Sequence, residues 1–328
     1  MSKQYRAVVC RGFGAGETAV EMLPRPPLRG NEVRVRLRAC GVNFPDVLIV
    51  QGKYQLKPAF PFVPGTEGAG EIIEIGADVT PERLGTQVMV STRTGGYAEE
   101  ATVAADKALP LPAGFSFDEG ATFMVAHMTS FHAIVTCGQV RAGQSVLVIG
   151  AGGGVGRAAV QIAKRQGAFV VATASSDGKA ELARSAGADV VIATDPHELP
   201  VAVAAVINSY SGGDGVDVVY DPVGIASEAA VRCLTWGGRV LIVGFAGGTL
   251  PSFAANRILL KGATVVGVRA GEFGRRFPDR RAAEMLEILK LAAVHRPVVT
   301  GAFPIARFAD ALHALESRSA SGRVVLLP

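Results

Sequence analysis

The sequence predicts a two-domain α/β protein: a doubly wound parallel sheet with helices on both faces, joined to a partly open β-barrel. Three observations carry that expectation. Short β-rich runs broken by Gly and Pro fill residues 5–110, apolar strands alternate with amphipathic helices from 145 to 268, and a glycine-rich turn joins the first of those strands to its helix. A chain of 328 residues is long enough for about two domains.

The opening MSKQYRAVVC meets a charge again at Arg11, so it reads as a first strand rather than a secretory leader. Glu32–Ala39 places Val33, Val35 and Leu37 on one face and charges on the other, the period-two pattern of a half-buried strand. Gly70–Ile75 and Gln87–Ser91 are similar, and Gly95-Gly96-Tyr97 marks a turn before a strand that ends at Val103. Phe117–Val135 is apolar, without proline or alternation, and reads as a helix. Strands follow at Ser145–Ile149, Phe169–Thr173, Asp189–Ile192, Val216–Tyr220, Arg239–Val243 and Thr264–Val268, with the clearest helices at Val155–Gln166 and Lys179–Ser185. Alternation of this kind builds a parallel sheet of the dinucleotide-binding type. Beyond Ala270 it stops. A helix at Arg281–His295, a strand at Val298–Phe303, a helix at Phe308–Ser317 and a strand at Arg323–Leu327 read as a return to the barrel, which divides the chain into 1–126, 127–269 and 270–328.

Composition removes several classes. Hydrophobic residues at 49% and charged residues at 19% exclude a disordered chain. The net charge of +4 is spread without a basic cluster or stripe, so no nucleic-acid partner is expected. No apolar run approaches the ~20 residues of a spanning helix, so no membrane is expected either. Cys10, Cys40, Cys137 and Cys233 are far apart and form no C-x-x-C, which suits a reducing, cytoplasmic setting.

The strongest chemical signal is the run from Val146 to Val160, in which an apolar strand enters Gly150-Ala151-Gly152-Gly153-Gly154-Val155-Gly156 and then a helix. Without Cβ atoms the backbone turns sharply and a pyrophosphate can approach the exposed N–H groups at the positive end of the helix. A strict G-x-G-x-x-G is absent; the pattern is A-x-x-G-x-G from Ala151 to Gly156. A purely structural glycine turn is the alternative, and the strand–helix units that follow favour nucleotide binding. An acid near the end of the second strand would bind the ribose of NAD. This chain has Ala174-Ser175-Ser176-Asp177-Gly178-Lys179 instead. Ser175, Ser176 and Lys179 suit the 2′-phosphate of NADPH, although Ser176 and Asp177 also suit a helix cap; the two roles are compatible.

The segments Ala39-Cys40-Gly41-Val42-Asn43-Phe44-Pro45-Asp46 and Pro64-Gly65-Thr66-Glu67-Gly68-Ala69-Gly70, taken with the glycine turn, resemble the medium-chain dehydrogenase/reductase superfamily, and most closely its zinc-independent quinone oxidoreductase (zeta-crystallin-like) branch. The resemblance covers essentially the whole chain and implies a Rossmann domain beside a discontinuous GroES-like domain. Zinc alcohol dehydrogenases of that superfamily carry a ligand cysteine at the position of Asn43 and a histidine at that of Thr66, and a cysteine lobe where this chain has none between Cys40 and Cys137. Asn and Thr do not replace such ligands, so no metal is expected.

The resemblance further implies that Asn43 and Tyr54 line a substrate site, that Thr129 lies near the nicotinamide, and that Phe245, Ala246, Gly247, Asn256 and Arg318 touch the cofactor. Each has a plainer reading: Asn43 holding the turn before Phe44-Pro45, Thr129 bonding back within its helix, Arg318 a solvated charge. Asp46 is expected to cap the turn after it, and Glu67 to be structural. The expected activity is hydride transfer from NADPH to a quinone or α,β-unsaturated carbonyl, which is electrophilic without Lewis-acid help. The alternatives are an enoyl-thioester reductase and an NADPH-binding protein with little turnover. An open sheet edge at Thr264–Val268 suggests a homodimer.

Overall fold

The structure is a computed structural model and describes residues 4–14, 16–193, 195–224, 227–248 and 250–328. It divides into two compact units: residues 1–125 with 292–328, and residues 126–291.

In the first unit, β1 (Gln4–Cys10) and β2 (Thr18–Pro24) pair antiparallel. β3 (Glu32–Val42), α1 (Phe44–Val50), β4 (Glu67–Ile75), β5 (Gln87–Ser91), β6 (Glu100–Ala104) and β7 (Ala108–Pro110) follow, and α2 (Phe117–Phe131) begins here. After the second unit the chain adds β14 (Val299–Pro304), α10 (Phe308–Glu316) and β15 (Arg323–Leu327). The main sheet runs β14-β15-β3-β4-β5-β7, and β6 also pairs with β3. β15 lies antiparallel to the end of β3, with Val325 opposite Gly41. The alternation read at Val33, Val35 and Leu37 is the buried face, packed with Val88, Val90, Val324 and Leu326.

In the second unit the elements are β8 (Ser145–Val148), α3 (Gly154–Arg165), β9 (Phe169–Thr173), α4 (Asp177–Ser185), β10 (Val190–Ile192), α5 (Leu199–Ser211), β11 (Val216–Asp221), α6 (Ser227–Arg232), β12 (Leu234–Ile242), α7 (Ala255–Lys261), β13 (Thr264–Gly267), α8 (Ala270–Arg276) and α9 (Pro278–Leu291). The sheet order is β10-β9-β8-β11-β12-β13, all parallel. That is the doubly wound Rossmann order, in which the chain reverses direction across the sheet beside the first strand.

Three features depart from the sequence reading. β12 starts at Leu234, because the register against β11 slips between Val216 and Val218 and accommodates the extra residues around Gly237. The helix expected at Phe117–Val135 is α-helical only to Phe131 and continues as a π-helical turn, His132–Cys137. The return to the first unit falls at Ala292 rather than Ala270, since α8 and α9 stay with the Rossmann sheet. Glu284 on α9 anchors them there, accepting hydrogen bonds from His132 and Thr136.

Leu147 sits in the central strand with no solvent exposure, whereas Leu286 on α9 is 64% exposed. Leu147→Ala is expected to lower the stability of the second unit by about 2–5 kcal/mol in urea unfolding, and Leu286→Ala to stay within about 0.5 kcal/mol.

Candidate active site

In the Rossmann unit the glycine turn is set by its neighbours. The Gly150 N–H donates to Thr173 Oγ1 at 3.1 Å and the Ala151 N–H to the Thr173 carbonyl at 3.0 Å, so the end of β9 clamps the start of the turn. Gly153 caps α3, and the first intrahelical bond runs from Arg157 N–H to Gly153 O. The N–H groups of Gly154, Val155 and Gly156 therefore have no acceptor within the helix and form an anion-binding end. A Cβ on Gly156 would lie 2.3 Å from the Gly150 carbonyl, so only glycine lets the helix sit so close to the turn.

A Cβ on Gly152 would lie 2.4 Å from Lys179 Cβ. The structure thus brings Gly152 and Lys179 together. Lys179 Nζ reaches Ser175 Oγ at 3.5 Å, and Ser176 caps α4 by accepting the Lys179 N–H. Ser175 and Ser176 are exposed. Ser176 thus caps α4 beside the Ser175–Lys179 pair.

At the end of β11, the buried Asp221 carboxylate accepts the N–H groups of Val223 and Gly224, each at 2.8 Å. Burial pushes its carboxyl up, opposed by those two bonds. The loop held in this way accepts the N–H groups of Ala246 and Gly247 at Pro222 O and Val223 O, which fixes Phe245-Ala246-Gly247 beyond β12. Thr129 is half-buried near the end of α2 and Asn256 is exposed on α7. Two hydroxyls the sequence did not single out support the turn. Ser130 Oγ donates to the Val155 carbonyl at 2.7 Å and also meets the Tyr220 hydroxyl at 3.0 Å. Tyr220, a phenol inside the apolar end of β11, was the readable signal for this support.

In the first unit Asn43 is buried at the N-terminus of α1. Its amide nitrogen donates to Glu67 Oε1 at 2.9 Å and Thr66 Oγ1 at 3.3 Å, and its carbonyl oxygen accepts from Arg323 at 2.9 Å. Both amide hydrogens are engaged within the protein, so the expected donation from Asn43 to a substrate is not available in this arrangement. Glu67, fully buried, also takes Arg323 at 2.5 Å and the Val125 N–H at 2.9 Å. Burial pushes its carboxyl up, and Arg323 chiefly opposes that shift. Asp46 does cap α1, accepting the Asn43 N–H at 2.9 Å, but it is also buried and takes the Tyr97 hydroxyl at 2.9 Å.

Tyr54 is half-buried and packs against Cys10, Ile49 and Phe62. Arg318 is exposed, and its left-handed backbone (φ 57°) closes the end of α10. A zinc ion does not fit at the Asn43–Thr66 position. The donors there are an amide and a hydroxyl, and the neighbouring carboxylate is already neutralised by a guanidinium. Among the described residues no group of three or more His, Cys, Asp or Glu side chains could hold a metal ion. No helix among them is long and apolar enough to cross a membrane.

A six-stranded Rossmann sheet with a glycine turn, joined to a discontinuous β unit, defines a dinucleotide-binding oxidoreductase. Family models agree: residues 29–113 match the alcohol dehydrogenase GroES-like domain and residues 154–290 the zinc-binding dehydrogenase domain. The chain is 33% identical to quinone oxidoreductase-like protein 2 of Bos taurus, covering 99% of this chain and 93% of that one. Among solved structures, a probable oxidoreductase from Mycobacterium abscessus is 34% identical with a TM-score of 0.86, over 99% of this chain and 100% of that one. The quinone oxidoreductase of Thermus thermophilus, solved also in complex with NADPH, is 30% identical with a TM-score of 0.82, over 98% and 100% of the two chains. The protein belongs to the medium-chain dehydrogenase/reductase superfamily, in its quinone oxidoreductase branch.

Burial pushes the Asp46 carboxyl up to about 7, opposed by the Asn43 N–H and Tyr97 hydroxyl and reinforced by Glu67. A carboxyl whose folded value lies above its unfolded value of about 3.9 binds more protons in the folded state. Its contribution to stability is therefore full at low pH and is lost as pH rises from about 4 to about 7. Asp46→Asn is expected to remove that decline, read as the difference between the two proteins' urea midpoints across this range.

Proposed function

We propose that this protein is an NADPH-dependent reductase of quinones or α,β-unsaturated carbonyls that works without zinc. One observation carries the cofactor choice: beyond the end of β9, Lys179 lies against Gly152 with its ammonium 3.5 Å from Ser175 Oγ, where an NAD site would present an acid. A carboxylate there would repel a 2′-phosphate. A hydroxyl and an ammonium would accept it through charge-assisted bonds. The complex of the Thermus thermophilus relative with NADPH supports the same reading.

Bound NADPH would supply a hydride from C4 of its nicotinamide ring. The chain's own part is placement and proton supply. The free N–H groups of Gly154, Val155 and Gly156 would hold the pyrophosphate, with Gly152 and Gly153 leaving room for it, while Phe245-Ala246-Gly247, Thr129, Asn256 and Arg318 are proposed to bound the rest of the cofactor. Tyr54 would donate its phenolic hydrogen to the developing oxyanion of the acceptor, or solvent would. Asn43 is a positioning residue in this scheme. Its bonds to Glu67, Thr66 and Arg323 fix the strand end and helix start at the locus where zinc relatives place a ligand. An acceptor that is already electrophilic suits a site built this way, whereas an alcohol would need its oxygen polarised.

Lys179→Ala is expected to raise KM for NADPH about 10-fold or more while leaving KM for NADH nearly unchanged, the loss of one charge-assisted bond. Steady-state kinetics with a 1,4-benzoquinone as acceptor would read this out; equal losses for both cofactors would count against the phosphate role. We further propose a cytoplasmic homodimer in which the exposed edge strand β13 pairs with its copy. Analytical ultracentrifugation at micromolar concentration should show twice the chain mass, and a stable monomer would exclude it.

A further inference from the structure

The π-helical turn His132–Cys137 assembles a group of side chains that the hydride-transfer scheme does not use. In an α-helix, residues five apart lie about 140° from one another around the axis. Here the ladder shifts to i→i+5, as the Gly138 N–H to Ala133 carbonyl bond of 2.7 Å shows, and the fifth residue comes back over the first. Cys137 Sγ consequently lies 3.5 Å from His132 Nε2. The opposite ring nitrogen, Nδ1, is 3.0 Å from Glu284 Oε1 on α9. An ionised carboxylate only accepts, so Nδ1 carries a proton and donates it to Glu284. Glu284 is held in turn by the Thr136 hydroxyl and by Arg281 at 2.8 Å. The ring of Phe273 on α8 covers the imidazole, with centroids 4.3 Å apart, and Arg280 lies over the aromatic neighbours Phe273 and Phe277.

The result is a cysteine, a histidine and a carboxylate in series, the order in which nucleophilic thiols are activated. Burial alone would lower the His132 pKa, but its bonds to Cys137 and Glu284 raise it to about 9. The other three cysteines are buried, and burial pushes the thiols of Cys40 and Cys233 up to about 12. Among the described residues Cys137 is the one cysteine that is partly exposed.

We propose that Cys137 is a covalent modification site for soft electrophiles of the α,β-unsaturated carbonyl class, with His132 and Glu284 in series behind its sulfur and the thiol proton leaving to solvent as the sulfur attacks. In the reaction the sulfur attacks the β-carbon and a C–S bond forms. The carbon–carbon π bond breaks, its electrons pass to the carbonyl as an enolate, and a proton from His132 Nε2 or water completes the adduct. Nothing is oxidised or reduced. This chemistry is separate from the NADPH-dependent reading, because no nucleotide takes part.

The test is peptide mapping by mass spectrometry of the full chain treated with limiting N-ethylmaleimide, without nucleotide, at pH 6.5. The expected result is that Cys137 is the principal adduct, formed ahead of Cys10, Cys40 and Cys233. His132→Gln should slow labelling of Cys137 about tenfold at pH 6.5, and Glu284→Gln should slow it in part. Labelling of Cys137 unchanged in His132→Gln would overturn the proposal, and adducts spread over the other cysteines of the wild type would do so even if the variants failed to fold.

Discussion

A carboxylate with no access to water must be surrounded by donors or it cannot remain charged, and Glu67 imposes that requirement on the whole first unit. Its donors come from widely separated places: Asn43 at the start of α1, the Val125 N–H on α2, and Arg323 on β15. The unit is therefore discontinuous for a chemical reason as well as a topological one. Until the last strand arrives, the buried acid lacks its guanidinium. A hydrophobic set of the same volume would serve stability as well or better, so the network is better understood as fixing one geometry at the end of β3 and the start of α1.

The fold was largely legible because its periodicities are local. The alternation of Glu32–Ala39 and the succession of apolar strands and helices after Ser145 both reflect burial on one face, and burial writes itself into the sequence at the spacing of the element. The departures occur where distant residues decide. Nothing near Ala270 marks that α8 and α9 stay with the Rossmann sheet, because the anchor is a bond from Glu284 to His132, far back in the chain. The slipped register that starts β12 at Leu234 is likewise a property of the pair β11–β12, not of either strand.

The candidate site divides along the same line. The glycine turn and the Ser175–Lys179 group are contiguous motifs that the sequence shows separately, and the structure sets Lys179 against Gly152. Asn43 and Asp46 were visible as residues but not as partners. A sequence shows a polar residue before a helix; it does not show that both amide hydrogens are taken by Glu67 and Thr66, or that the capping carboxylate is shared with Tyr97. Ser130 and Tyr220 illustrate the same limit, since neither bonds within its own element and their joint acceptor is the carbonyl of Val155.

The distribution of donors bears on chemistry. In a zinc dehydrogenase the locus of Asn43 and Thr66 supplies positive charge to an alcohol oxygen. In this chain the positive charge nearby belongs to Arg323, and it is taken up by Glu67 and Asn43. A site whose cation is already neutralised offers little to a substrate that must be polarised before it reacts. It suits one whose carbon is electrophilic at the outset, for which placement contributes most of the rate and a single phenol or water suffices for the oxyanion. The proposed acceptor class follows from where the charge is committed.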